Sequence, residues 1–126
     1  MNIPRPTDAE LMILRALWQH GPSTVRQVYE VLKQKKDLGY TSALKTMQVM
    51  MEKGLVVRDE SKRSHVYAPA QTEDHTLHSL VDDLLSKAFG GSAMRLVMQA
   101  LSAHPASREE LDQIRELLGR AGEDVP

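Results

Sequence analysis

The chain has 126 residues, enough for one modest core or for two small units that share stability through a partner. It contains no Cys, which excludes disulfides, thiolate metal sites and thiol-based redox sensing, and no apolar run of roughly 18 residues that could span a bilayer. The net charge of -1 hides a division: residues 1–70 hold 11 Lys/Arg against 7 Asp/Glu, whereas residues 71–126 hold 5 against 10.

A basic first part suits a polyanion, and an acidic second part is repelled by one and serves better to hold proteins together. The start, "MNIPRPTDAE", has neither the charged n-region nor the apolar stretch of a signal peptide, so a cytoplasmic protein without a membrane partner is expected.

"TDAELMILRALWQHG" predicts a first helix. Thr7 is a good N-cap, Glu10 completes a capping box, Leu11, Leu14, Leu17 and Trp18 form the apolar stripe, and Gly21-Pro22 ends it. "STVRQVYEVLKQKK" predicts a second helix with Ser23 or Thr24 as cap, Gln27 three residues after Thr24, and Val25, Val28, Tyr29 and Leu32 inward. A third helix is expected from Thr41 to the residue before Gly54, with Leu44, Met47 and Met51 buried and Tyr40 just ahead of them.

After Gly54 the periodicity changes. "LVVRD" and "HVYAP" read as two short strands around the polar turn "ESKRS". Three helices followed by a β-hairpin is the winged helix-turn-helix order. The remaining chain returns to helical spacing in three segments. The first carries Leu77, Leu80, Val81, Leu84, Leu85, Ala88 and Phe89 and ends at Gly90-Gly91. The second carries Met94, Val97, Met98 and Leu101. The third carries Leu111, Ile114, Leu117 and Leu118, opens with a Ser107/Glu110 capping box and is expected to end at Gly119. The expected fold is therefore mainly α with a small β-hairpin: a winged helix-turn-helix over residues 1–70, a three-helix dimerisation region over 71–119, and a flexible tail over 120–126.

The third helix has a second face. Ser42, Lys45, Thr46 and Val49 recur at spacings of three, four and seven opposite the buried stripe, with Thr41 and Gln48 beside them. A major groove admits such a helix: Lys donates to guanine O6 and N7, Ser and Thr donate or accept, and Val touches a thymine methyl. A solvated helix face would look the same. Lys62, Arg63 and His65, at the hairpin tip, would reach phosphates or the minor groove, although a charged turn also serves solubility. Ser23, Thr24 and Arg26 open the second helix, whose positive dipole end favours a phosphate; a plain N-cap explains the first two equally well. Taken together in the basic part of the chain, these features predict contact with double-stranded DNA.

The three later helices have little within one chain to pack on. A two-fold partner would cover their stripes, built from Leu77, Leu80, Val81, Leu84 and Leu85, then Met94, Val97, Met98 and Leu101, then Leu111, Ile114, Leu117 and Leu118. The same pairing would set two recognition helices about one duplex turn apart, roughly 34 Å. The alternative is that these helices fold back on their own domain. Asp74, His75, His78 and Asp82 could hold a divalent metal, but they read better as the polar start of an amphipathic helix, and no metal or cofactor is expected. No Gly-rich phosphate loop, nucleophile with a base, or cleft-forming carboxylate pair points to an enzyme. The remaining rival is a winged helix used for protein contact.

"LWQHGPSTVRQVYEVL", "YTSALKTMQVMMEKGLV" and "HVYAP" resemble the penicillinase-repressor (BlaI/MecI/CopY) family of winged-helix transcriptional regulators, across essentially the whole chain. The resemblance implies a homodimeric repressor of a palindromic operator. It also implies release by a sensor protease that cleaves the C-terminal region. Three departures stand out. Val49 replaces an Arg frequent late in the family's recognition helix, which would alter operator preference. The Cys cluster of the copper-responsive branch is missing. The Asn-Phe cleavage bond of some relatives would fall near Gln99-Ala100, which does not match it, so neither cleavage nor a β-lactam-resistance output follows from the resemblance.

Overall fold

The computed structural model describes residues 5–35 and 37–123. The elements follow as α1 (Asp8–His20), α2 (Val25–Leu32), α3 (Tyr40–Lys53), β1 (Val56–Asp59), β2 (Val66–Pro69), α4 (Glu73–Ala88), α5 (Ala93–Ala103) and α6 (Arg108–Glu123). Contacts divide the chain into two compact units, Met1–Leu80 and Val81–Pro126.

In the first unit each helix starts where its local chemistry directs. Thr7 and Glu10 exchange side-chain and backbone hydrogen bonds at the head of α1, and Thr24 and Gln27 do the same at α2. Each such box satisfies two N–H groups that an open helix end would leave without partners. Helix α3 begins one residue earlier than the sequence suggested, after Gly39, with no side-chain cap. It stops at Gly54, whose left-handed φ of 85° lets the Leu55 N–H reach back to the Met50 carbonyl at 2.9 Å.

Strands β1 and β2 pair antiparallel, with Val56 opposite Pro69 and Asp59 opposite Val66. A further isolated bridge joins β2 to the chain just ahead of α2. The Ser23 N–H donates to the Tyr67 carbonyl at 2.9 Å, and the Tyr67 N–H donates to the Ser23 carbonyl at 2.8 Å. Three helices closed by this hairpin make a winged helix-turn-helix.

The core gathers Ile13, Leu14 and Leu17 of α1, Val25, Val28 and Leu32 of α2, Ala43, Met47 and Met50 of α3, and Leu55, Val56 and Tyr67 of the hairpin region. The inward stripes thus differ from expectation at several positions. Ile13 rather than Leu11 is fully buried on α1, because this helix is covered from two sides and its apolar sector is wider than one stripe. On α3, Ala43 and Met50 are buried while Leu44 and Met51 are half-buried flanks.

The first two turns of α4 belong to the first unit. The Trp18 indole N–H donates to the Gln71 carbonyl at 3.1 Å, and Leu14, Trp18 and Leu55 line a small hollow with His75, Thr76, Ser79 and Leu80. The compact units accordingly separate inside α4, after Leu80, and not at residue 70.

In the second unit α4 ends with Gly90 and Gly91, both at positive φ, and the Gly91 N–H returns to the Leu85 carbonyl at 2.8 Å. Helix α5 is capped by Ser92, and α6 opens with the Ser107/Glu110 box. Helix α6 does not stop at Gly119: it continues to Glu123, so residues 120–123 are helix where a tail was expected. Among the described residues, none on α4, α5 or α6 is buried.

Candidate nucleic-acid interface

The expected reading face lies on α3, and its members differ in position. Thr41, Ser42 and Lys45 are exposed, while Thr46 and Val49 are half-buried. Thr46 turns toward α1, where it lines a small hollow with Ala9, Met12, Ile13, Leu32 and Leu38. Ser42, Lys45 and Val49 share the side of α3 opposite Met47, and the exposed Glu52, three residues after Val49, extends that side with an acid absent from the sequence reading.

Two contacts hold α3 in place. At its head the Arg26 guanidinium lies 4.5 Å from the centre of the Tyr40 ring, and Tyr29 meets that ring edge-on at 5.7 Å. A cation over an aromatic face with an edge-to-face pair beneath it fixes the first turn of α3 against α2. At its tail the Lys53 ammonium bonds the Glu10 carboxylate of α1 at 2.8 Å. Burial pushes the Glu10 carboxyl up, but the Lys53 ammonium and the Thr7 hydrogen bonds outweigh it and leave its pKa below the ordinary 4.5.

Beside α3 runs a cleft of about 260 Å³. The head of α2 contributes Thr24, Val25 and Arg26, the flank of α3 contributes Tyr40, Leu44 and Gln48, and the hairpin contributes Arg58, Arg63, Ser64, His65 and Tyr67. Arg26, Arg63 and His65 were expected to meet phosphate and do border this cleft, and Lys62 is exposed at the same tip. Thr24 also borders it, but its hydroxyl already accepts the Gln27 N–H. Ser23 does not border it: the residue is buried and its hydroxyl donates to the Gly21 carbonyl at 2.8 Å. Its place in the interface is structural, through the bridge to Tyr67.

Arg58 is the lining cation that sequence reading missed. It sits on β1, with its side chain 19% exposed, donates to the Tyr67 hydroxyl at 3.4 Å and pairs with Glu60. Those two partners hold the guanidinium firmly charged against a smaller opposing effect of burial. Strand alternation alone gave no signal, since Arg58 reaches the cleft only because β2 brings Tyr67 alongside. At the turn, hydrogen bonds from the Ser61 side chain and backbone hold the Asp59 carboxyl below its ordinary 3.8, which fixes the start of the tip.

The residues assigned to a partner interface are uncovered. Leu77, Val81, Leu84, Met94, Val97, Met98, Leu117 and Leu118 are exposed, Met94 by 72% and Met98 by 61%, whereas Leu80, Leu85, Leu101, Leu111 and Ile114 are half-buried. No three His, Asp or Glu side chains converge among the described residues, and Asp74, His75, His78 and Asp82 do not form a set. No helix among them is long and apolar enough to cross a membrane.

The penicillinase repressor family model matches residues 6–120. A transcriptional regulator, BlaI, of Mycobacterium tuberculosis is 32% identical over 121 residues, spanning 93% of this chain and 85% of that protein. The penicillinase repressor of Bacillus licheniformis is 26% identical over 123 residues, spanning 93% and 91%. Among solved structures, the monomeric form of Bacillus licheniformis BlaI in complex with the blaP half-operator is similar in fold, with a TM-score of 0.51 and 23% identity over 58% of this chain and 89% of that one.

Proposed function

The chain belongs to the penicillinase repressor family and is a DNA-binding transcriptional repressor, and from that premise we propose that it acts as a homodimer on a palindromic operator. One observation carries the reading: the exposed Thr41, Ser42 and Lys45 of α3 adjoin a cleft bordered by Arg26, Arg58, Arg63 and His65. The helix supplies groups that match base edges in a major groove, and the cleft supplies the positive charge that grips the flanking backbone without reading sequence. Val49 adds a methyl-bearing contact in place of a hydrogen-bonding one, so a thymine methyl suits the position it reaches.

The homodimer rests on the apolar residues of α4, α5 and α6. Exposed Leu, Val and Met side chains on three successive helices amount to more than scattered surface apolar residues, and a second copy of the same surface is the simplest cover. Release by a sensor protease would require α5 to unwind first, because the bond between Gln99 and Ala100 lies inside that helix. The family is one of transcriptional repressors.

Mapping the duplex region that the purified protein protects upstream of its own gene tests the reading. Two symmetric half-sites about one helical turn apart, with affinity that falls steeply as salt rises, are expected. A protected region without symmetry would remove the homodimer on a palindrome, and flat salt dependence with no site preference would favour a module for protein contact.

A further inference from the structure

The pairing of Arg58 with Glu60 stands out within the basic cleft. Glu60 lies on the polar turn, its side chain 55% exposed, and its carboxylate engages one Arg58 guanidinium nitrogen. Arg58 Nη1 donates to the Tyr67 hydroxyl, while Arg58 Nε is buried without a hydrogen-bond partner. Tyr67 is only 2% exposed, and among the described residues its hydroxyl accepts from Arg58 and finds no acceptor for its own proton. Two donors are thus left without acceptors beside a cleft that Arg26, Arg63 and His65 also border. Buried donors without acceptors are costly to keep, and they are explained when an incoming group completes them.

Resting on the reading of the chain as a DNA-binding repressor, we propose that Arg58 and the Tyr67 hydroxyl form a phosphate-binding position in this cleft, and that Glu60 occupies it in the free protein as an internal carboxylate which a DNA phosphate must displace. The chemistry suits a phosphodiester. A guanidinium presents a planar fork of donors to two oxygens, and a phosphate offers more acceptor positions than a carboxylate, enough for a phenol proton as well. Glu60 can leave at small cost because it is solvated and sits on the turn rather than in a strand. The phosphate position itself carries no base information, so Glu60 lowers affinity for every duplex alike and leaves discrimination to α3.

The test uses the full-length protein and two probes, a mixed-sequence DNA duplex and a duplex of the protein's own upstream region, titrated over a range of salt. Glu60→Gln, an exposed change that leaves the fold intact, should tighten binding to both probes by a similar factor of about three to ten. Arg58→Gln should weaken both and lower the salt slope by about 0.9, one phosphate's share. In the Arg58→Gln background the gain from Glu60→Gln should vanish, because Glu60 acts through the group that has been removed. A gain that survives undiminished there would show Glu60 acting only through the general field, and would overturn the proposal. Unchanged affinity in Glu60→Gln alone, which needs no altered arginine, would overturn it as well. Failure of the unaltered protein to bind either duplex would overturn the repressor reading and this one together, whereas normal binding with an unmoved slope in Arg58→Gln would overturn this one alone.

Discussion

Lys53 on the last turn of α3 bonds Glu10 on the first turn of α1 across 2.8 Å, and Glu10 is 3% exposed while the Lys53 side chain is 31% exposed. The buried carboxylate also accepts the Thr7 N–H at 2.9 Å, so one side chain both caps α1 and anchors α3. Glu10→Gln should lower stability by about 1–2 kcal/mol, because Lys53 retains contact with water and is not stranded in the interior. The pH dependence has a definite sign. With the folded pKa below its ordinary 4.5, the carboxylate contributes fully at neutral pH, and its contribution is lost as pH falls below 4.5 through the folded value. Urea unfolding from pH 7 to pH 3 should show a shallower acid decline in Glu10→Gln than in the unaltered chain.

Gly54 tests the joint between α3 and β1. A Cβ there would meet nothing within 4 Å, so Gly54→Ala introduces backbone strain at φ 85° and no clash. The expected cost is about 1 kcal/mol, read as a drop of about 5 °C in the thermal midpoint. Gly54→Asn should cost less, since Asn tolerates the left-handed region. Equal losses for the two variants would mean that packing, and not backbone conformation, sets the cost.

Base reading and backbone gripping should separate by mutation. Lys45→Ala should relax preference at one base pair by about 1–3 kcal/mol, whereas Arg63→Ala should weaken binding to all sequences alike and reduce the salt slope by about one. Titrations of a duplex series with single-pair changes measure both effects. If the two variants gave the same pattern across the series, the division of labour between α3 and the hairpin tip would fall.

The proposed partner surface should respond to one buried charge. Met98→Glu places a carboxylate on an apolar side chain that is 61% exposed in the single chain. Sedimentation should then show at least about a tenfold rise in the dimer dissociation constant, since an unpaired charge in an apolar interface costs more than 1.4 kcal/mol. Thermal unfolding of the first unit should hardly move. A dimer unaffected by this change would shift the interface away from α5.

The capping chemistry made much of this architecture legible. Thr7 with Glu10, Thr24 with Gln27 and Ser107 with Glu110 mark three helix starts by residue type and spacing alone, and each pair forms its box. Gly119 misled in the other direction. Glycine favours a helix stop only where the chain turns left-handed, and Gly119 does not adopt positive φ, so α6 passes through it at the modest cost of a flexible residue. The outward face of α3 followed from 3.6-residue periodicity, except that Thr46 turned toward α1 because the loop carrying Leu38 covers that side. The role of Arg58 and the contact of Tyr40 with Arg26 escaped notice for a different reason: each depends on a neighbour that only the fold brings alongside, Tyr67 for one and Arg26 for the other.

The two hydrogen bonds between Ser23 and Tyr67 give β2 backbone partners along both of its edges, β1 on one side and the lead-in to α2 on the other. The walls of the basic cleft are therefore stitched together at the base, and bending is left to the polar tip between the strands. A gap set by backbone in this way acts as a fixed gauge. A duplex whose backbone seats along it must conform to the protein, and the energy of narrowing or bending depends on the stiffness of its base steps. Operator strength should consequently vary with base pairs that no side chain touches, and flexible pyrimidine–purine steps beside the half-site should be favoured over stiff A-tracts of equal length.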